Sequence, residues 1–345
     1  MQQNTIPNTL TQAAGLLSLG LLLQIAFTYP LWMYEEWRVF PVVPVLGNFP
    51  LSWLAFDYFN LALIIVALLG TMFAPTRRWW YLLFVVVITV LWLQDVTRFQ
   101  YGIYIFSVLL ALLYFQKEGR NAQLLQALQM GLIGVYFWAG TYQLLPLTTQ
   151  VIFSELAEWL PMAEGVTPLV YLPGVLALLV ASGLFFPATR PFAIGLAVVY
   201  HALQLVPSAT AANQPVLWTY HLVTLCLVFL LFRTEKQPIF YQSYAYLKTF
   251  PVVPYAFIIF GTLPFFQFAT PLHPVLRLQP PIAQLDSTTF FFHRQDRYCL
   301  PPAVDELVFT NSTDLVESKI LHVYLQDWLT TEFGVGFATN IAQQR

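Results

Sequence analysis

Apolar stretches long enough to cross a bilayer recur along this chain, and this recurrence restricts the fold more than any other feature. A spanning helix needs about 20 predominantly apolar residues. Short polar links separate the apolar runs, so the sequence predicts an all-α integral membrane protein, a bundle of about nine transmembrane helices. The predicted helices cover residues 12–33, 51–73, 79–94, 101–116, 124–145, 168–186, 192–206, 216–233 and 251–269.

The composition supports a membrane location and excludes several classes of function. Charged residues make up only 9% of the chain and hydrophobic residues 58%, whereas an average soluble domain carries about 25% charged residues. A surface so poor in charge needs lipid as its solvent. The net charge of −2 gives no basis for nucleic-acid binding. The two cysteines, Cys226 and Cys299, have no zinc-type spacing, so we predict no metal site.

Lysine and arginine are distributed unequally between the two sides of the predicted bundle. Only Arg38 and Arg98 lie in the short loops opposite the N-terminus. Because cytoplasmic loops are enriched in these residues, we predict a cytoplasmic N-terminus and, after nine spans, an extracytoplasmic C-terminus. Residues 1–11 contain no Lys or Arg, which argues against a cleavable signal. The N-terminal side carries Arg77, Arg78, Lys117, Arg120, Arg190, Arg233, Lys236 and Lys248.

The chain divides into two parts of different character. Residues 1–269 form the predicted transmembrane domain. Residues 270–345 form a shorter extracytoplasmic C-terminal region, in which repeated prolines interrupt short β-rich pieces. We expect this region to be a small ordered cap on the bundle rather than an independent domain.

Polar and ionisable residues inside the predicted helices lie toward the outer side of the membrane. Side chains of this kind usually face the interior of a bundle or a cavity rather than lipid. We therefore treat them as candidates for one outer polar site. The candidates are Asp57, Asp95, Arg98, Tyr142, Gln143, His201 and His221.

Several candidates also have simpler explanations. Asp95 and Arg98 are three residues apart and would neutralise each other as a structural ion pair on a helix. His201 and His221 would each serve as a hydrogen-bond partner between helices. Alternatively, the two histidines would bind a quinone or act as axial ligands of a haem, and haem is the disfavoured choice. Three glycines of the fifth helix, Gly131, Gly134 and Gly140, predict close approach of neighbouring helices.

Three stretches resemble a known group of membrane proteins when they are considered together. They are DVTRFQYGIY at 95–104, YFWAGTYQL at 136–144, and Arg190 followed by Tyr200-His201, Asn213 and Trp218. In this order they resemble the membrane domain shared by vitamin K-dependent γ-carboxylases and bacterial HTTM proteins. DoxX-like membrane proteins are a looser match. The resemblance covers about residues 12–233.

The resemblance implies a helical bundle whose site opens to the lumenal or periplasmic side. In the carboxylases, a lysine shortly after the glycine of the fifth-helix motif deprotonates reduced vitamin K. The matching position here is Gln143, and glutamine has no amine that could accept a proton. His201 matches a histidine of the family pattern. The large lumenal domain of the carboxylases has no counterpart in residues 270–345, so the resemblance implies a protein without carboxylase activity.

The leading hypothesis is a carboxylase-like membrane protein that binds a hydrophobic small molecule or assists a membrane or periplasmic protein at the outer face. A quinone-like lipid is compatible with such a site. The alternative is a redox or quinone-handling subunit that uses His201, His221 and the Asp95–Arg98 pair. A transporter is less favoured because no inverted repeat or central carboxylate pair is visible, and a purely structural role stays open. The HTTM resemblance favours the bacterial inner membrane.

Overall fold

The computed structural model describes residues 5–32, 54–94, 98, 100–117, 119–144, 171–210, 215–233 and 252–264. This part of the chain is almost entirely helical and contains no strand, which confirms the predicted all-α class. The predicted C-terminal region 270–345 lies outside the described residues, as do Asp95 and Asn213.

Each predicted apolar run has a helical counterpart among the described residues, although the bounds differ. The long helices are α1 Thr5–Phe27, α3 Leu54–Phe73, α4 Arg78–Gln94, α5 Tyr101–Leu112, α6 Asn121–Gln143, α7 Leu172–Phe185, α8 Arg190–Thr210 and α9 Pro215–Phe232. A single turn, α2 Tyr29–Trp32, follows α1, and α10 Val252–Phe257 continues into a π-helical turn, Ile258–Thr262. The first helix begins at Thr5 rather than at residue 12. Its first turns contain polar residues, so the apolar pattern does not detect them although they are helical.

Three helices in the described part are long and apolar enough to cross a membrane: Ile6–Phe27, Phe56–Phe73 and Pro215–Phe232. Large apolar side chains also cover the outside of the helices, among them Phe73 at 77% and Trp79 at 76% exposure. Contiguous apolar surface of this extent is rare on soluble monomers. The chain is therefore a helical membrane protein.

Helix α1 lies at the centre of the packing. It contacts α3 on one side, α9 on the other and α5 along a third face. From α9 the packing continues to α8, then α7, then α6, and α10 lies against α6. Successive helices alternate in direction, so the C-terminal halves of α1, α6 and α8 lie at the same end of the bundle as the N-termini of α5 and α9.

Glycines allow the closest helix contacts, as the sequence predicts for α6. A Cβ atom added at Gly140 would lie 2.7 Å from the carbonyl oxygen of Gly174 in α7. A Cβ at Gly134 would collide with the carbonyl oxygen of Phe260, in the π-helical turn after α10. Helix α6 is therefore held between α7 and α10 at positions where a larger residue does not fit.

Candidate functional site

Helices α6 and α8 carry most of the buried polar groups of the site. Both are long enough to span a bilayer, with 23 and 21 residues. Polar side chains on both helices, among them Gln143, Tyr200 and His201, are buried inside the bundle. Polar residues placed this way in a membrane protein usually mark a functional pathway or site.

Two histidines and a tyrosine form a hydrogen-bonded chain across three helices. The Oη atom of Tyr136, on α6, lies 2.6 Å from Nε2 of His201 on α8. On the other side of the same ring, Nδ1 of His201 lies 2.9 Å from Nδ1 of His221 on α9. All three side chains are buried. Both ring nitrogens of His201 therefore have polar partners inside the bundle.

Gln143 lies at the α6 end of this chain. Its Nε2 donates a hydrogen bond of 3.4 Å to the hydroxyl of Tyr200 on α8. The Tyr200 ring packs edge-on against both Tyr136 and His201, with centroid distances of 5.8 and 5.2 Å. Tyr200 thus connects Gln143 to the tyrosine–histidine chain, and these side chains form one cluster.

A second pair of tyrosines borders the cluster on the side of α5. The hydroxyl of Tyr220 donates to that of Tyr101 over 3.5 Å, and their rings pack edge-on at 5.2 Å. The Tyr220 ring also packs on His221 at 5.1 Å. The site therefore contains four tyrosine hydroxyls from four different helices.

Gln24 of α1 brings a further amide close to this region. The side chain is fully buried, at 0% exposure, and lies against Gly102 of α5, where a Cβ atom would collide with it. Neither its amide nitrogen nor its amide oxygen has a hydrogen-bond partner among the described residues. The amide oxygen of Gln143 is likewise buried without a partner in that part of the chain. Buried polar atoms of this kind are uncommon and often occur where a protein binds a ligand or water.

Asp57 and Arg98 form a separate group near the start of α3. Both side chains are fully buried, and Arg98 Nη2 lies 3.2 Å from Asp57 Oδ1. The guanidinium also donates to the carbonyl oxygen of Trp32 at 3.3 Å and to Gln94 Oε1 at 3.4 Å. Arg98 therefore connects α2, α3 and the end of α4, and its charge is compensated by a carboxylate.

The structure thus divides the predicted site residues into groups. Gln143, His201 and His221 belong to the tyrosine–histidine cluster, whereas Asp57 and Arg98 form the ion pair. The sequence suggested Asp95 as the partner of Arg98, but Asp95 lies outside the described residues and Asp57 provides the observed carboxylate. Tyr142 is buried and packs its ring on Trp138, one turn earlier in α6, at 6.1 Å.

The contact between the histidines does not fit axial ligation of one haem. Nitrogens bound on opposite sides of a metal ion lie roughly 4 Å apart, since each metal–nitrogen bond is about 2 Å long. The Nδ1 atoms here are 2.9 Å apart and contact each other directly, while Nε2 of His201 contacts Tyr136. In the described part of the chain, no three His, Cys, Asp or Glu side chains cluster in a way that could hold a metal ion. The chemistry that fits this arrangement is hydrogen bonding and proton transfer.

Several residues of the cluster were not among the predicted site residues. They are Gln24, Tyr101, Tyr136, Tyr200 and Tyr220. The sequence contains one signal for two of them, because each histidine directly follows a tyrosine, in Tyr200-His201 and Tyr220-His221. A glutamine in the middle of the first apolar run is a comparable signal for Gln24.

Comparisons of the chain with protein-family models, with characterised proteins and with solved structures give no significant match.

Proposed function

We propose that this chain is a carboxylase-like, HTTM-type integral membrane protein that lacks carboxylase activity and binds a hydrophobic small molecule near the outer end of its bundle. The observation that carries the proposal is the meeting of Gln143 with the Tyr136–His201–His221 chain. Three residues that the sequence marks as candidates, two of them within the family-like motifs, contribute to one buried cluster.

The surroundings of the cluster favour a ligand that is mostly apolar. A few hydrogen-bonding groups are surrounded by apolar side chains of the helices and by four tyrosine rings, those of Tyr101, Tyr136, Tyr200 and Tyr220. Small-molecule sites typically combine apolar and aromatic walls with a small number of polar groups that fix orientation. The amide oxygens of Gln24 and Gln143 supply two acceptors that a ligand O–H or N–H would satisfy. A quinone-like lipid is one molecule with these properties.

The side chain of Gln143 explains why we expect no carboxylation. A catalytic base must have a lone pair that takes up a proton near neutral pH. The Gln143 amide nitrogen has no such lone pair and acts as a donor to Tyr200. A ligand can therefore be held at this position, but the amine chemistry that the resemblance associates with it is absent.

For the complete chain we propose nine transmembrane helices with a cytoplasmic N-terminus in a bacterial inner membrane. The support is the excess of Lys and Arg on the N-terminal side, where Lys117 and Arg120 are exposed in the structure. In that orientation the tyrosine–histidine cluster lies toward the extracytoplasmic face. The region 270–345 would then follow the last span on the same face.

A redox or quinone-handling role is the second candidate, and the 2.6 Å contact between Tyr136 and His201 favours it. Oxidation or reduction of a quinone is accompanied by proton transfer, and a tyrosine hydrogen-bonded to an imidazole is suited to move a proton. This role requires electron exchange with a second redox partner. Quinone-dependent oxidation or reduction by the purified protein would distinguish it from simple binding.

The proposal is tested by identifying what the purified protein carries from its membrane. Protein extracted in a mild detergent is analysed by native mass spectrometry, and bound small molecules are identified after organic extraction. We expect a hydrophobic molecule in stoichiometric amount with the wild type and at least tenfold less with Gln143→Leu. The matched control is Gln129→Leu, on the same helix, because the Gln129 amide donates to the Leu231 carbonyl oxygen of α9, away from the cluster.

Two results would contradict the proposal. Equal amounts of the molecule in both variants would place its binding elsewhere on the protein. Vitamin K-dependent carboxylation of a glutamate peptide by the wild-type protein would show that Gln143 does not abolish the activity of the carboxylases that the chain resembles.

A further inference from the structure

Two histidines on neighbouring helices contact each other through their Nδ1 atoms, and this contact restricts which ring nitrogens can carry a proton. The Nδ1 atoms of His201 and His221 are 2.9 Å apart. One of them must donate to the lone pair of the other, so only one hydrogen fits between them. A neutral imidazole carries a single ring proton. Whichever histidine is protonated at Nδ1, its partner is therefore protonated at Nε2.

The other nitrogen of His201 extends this restriction to Tyr136. In a first arrangement, His201 is protonated at Nδ1, the Tyr136 hydroxyl donates to its Nε2, and His221 is protonated at Nε2. In a second arrangement, His201 is protonated at Nε2 and donates to Tyr136 Oη, while His221 donates from Nδ1. The direction of both hydrogen bonds and the tautomers of both histidines therefore change together, because Tyr136 and His221 both contact His201.

We propose that Tyr136, His201 and His221 form a proton relay. In passing from the first arrangement to the second, His221 releases its Nε2 proton to water. His201 passes its Nδ1 proton to His221, and Tyr136 passes its hydroxyl proton to Nε2 of His201. Tyr136 Oη then takes a proton from an O–H group of a bound molecule, which is left as its anion. One proton enters and one leaves, so the step requires no oxidant or reductant.

The nature of the proton donor rests on the proposed function. Tyr136 is on the side of Gln143, because the Tyr200 ring contacts Tyr136 and its hydroxyl accepts from the Gln143 amide. A molecule bound there would exchange protons with Tyr136 at little cost if its O–H were about as acidic as a tyrosine, with a pKa of about 10. Phenols and enols meet this condition. The amide oxygen of Gln143, which has no partner among the described residues, would accept from a second O–H or N–H group of the same molecule and so orient it.

The relay makes a prediction that packing alone does not make. If the three side chains only filled space, removal of the Tyr136 hydroxyl would affect His201 at most. In a relay, the same change also alters the protonation pattern of His221, with which Tyr136 shares no hydrogen bond. A phenol hydroxyl is a strong hydrogen-bond donor, so the wild type should favour the first arrangement, and Tyr136→Phe should remove this preference.

The test is nitrogen NMR of the full-length protein, labelled with ¹⁵N-histidine, in lipid nanodiscs without added ligand. The signals of His201 and His221 are assigned by their loss in His201→Gln and His221→Gln. We expect opposite tautomers for the two histidines in the wild type, and a change of the tautomer populations of both in Tyr136→Phe. The matched control is Tyr81→Phe, because Tyr81 is a buried tyrosine of α4 whose hydroxyl donates to the carbonyl oxygen of Pro75, away from the cluster. It should leave both tautomers unchanged.

The relay would be overturned by equal tautomers in the wild type, a measurement that does not depend on any variant being stable. A change confined to His201 in Tyr136→Phe would overturn it as well. Ligand binding is measured separately by mass spectrometry. Coupled tautomers without a bound molecule would therefore contradict the proposed function and the bound molecule as proton donor, while the coupling of Tyr136, His201 and His221 would stand.

Discussion

Arg98 has no exposed surface, and its charge is compensated by the carboxylate of Asp57. The guanidinium is 3.2 Å from Asp57 and also contacts the backbone of Trp32. Taking a charge out of water costs several kcal/mol, and an opposite charge in direct contact offsets most of that cost. The pair therefore stabilises the arrangement of α2, α3 and α4 only as long as both members are present.

Removal of one partner should be far more damaging than removal of both. Asp57→Leu removes the carboxylate that contacts the buried guanidinium, and we expect it to lower the free energy of unfolding by about 3–5 kcal/mol. The double variant Asp57→Leu/Arg98→Met should recover most of that loss, because both charges are replaced by apolar groups of similar size. Unfolding by sodium dodecyl sulfate in mixed micelles measures both values. A double variant no more stable than the single one would show that the carboxylate does not compensate Arg98.

Candidate site residues could be selected from the sequence where the residue type alone indicates a polar or ionisable group inside an apolar run. Histidine, glutamine and charged groups in apolar runs are conspicuous, so Gln143, His201 and His221 could be selected before the structure was known. Their partners could not be selected, because tyrosines are common in membrane helices and the pairing of Tyr136 with His201 joins residues on different helices. For the same reason the contact of Arg98 with Asp57, 41 positions earlier in the chain, could not be selected, whereas the predicted pairing of Arg98 with Asp95 lies outside the described residues.

At the scale of helices, α6 shows how packing and function are combined in one element. Its glycines bring it against α7 and α10, while Tyr136 and Gln143 face the site. An added methyl group at Gly140 would meet the carbonyl oxygen of Gly174, which is backbone and has little freedom to move. The position of Gln143 therefore depends on the close contact between α6 and α7.

Replacement of two helix glycines by alanine should have opposite effects. Gly140→Ala should lower the free energy of unfolding by about 1–3 kcal/mol, because the contact with α7 becomes overpacked. Gly195→Ala, in α8, has nothing within 4 Å of the added methyl and should raise it by about 0.5–1 kcal/mol through helix propensity. Detergent unfolding measures both. If Gly140→Ala were also stabilising, the close contact between α6 and α7 would not be present in the membrane.

The existence of the helices could be predicted from the length of the apolar runs, and the predicted all-α class is confirmed. Their bounds were less predictable, because hydropathy does not detect polar helical turns such as the start of α1. The π-helical turn Ile258–Thr262 packs against Gly134 of α6 through Phe260, a contact that no local sequence pattern encodes.

At the scale of the whole molecule, alternating helix directions gather the polar groups at one end of the bundle. These groups come from distant parts of the sequence and include Gln24 of α1, Tyr101 of α5, Gln143 of α6 and His221 of α9. The rest of the described surface is dominated by apolar side chains that suit lipid. A molecule that dissolves in the bilayer would therefore have only one polar region of this kind to bind among the described residues, at the tyrosine–histidine cluster.

The central claim is that this cluster binds a hydrophobic small molecule. The most direct measurement is a high-resolution structure of the full chain in lipid nanodiscs, without added ligand. We predict density for a bound molecule that contacts Gln143 and lies within hydrogen-bonding distance of the tyrosine–histidine chain, toward the extracytoplasmic face. A tightly closed bundle, in which the Gln24 and Gln143 amides are paired with protein groups and no molecule is bound, would contradict this account.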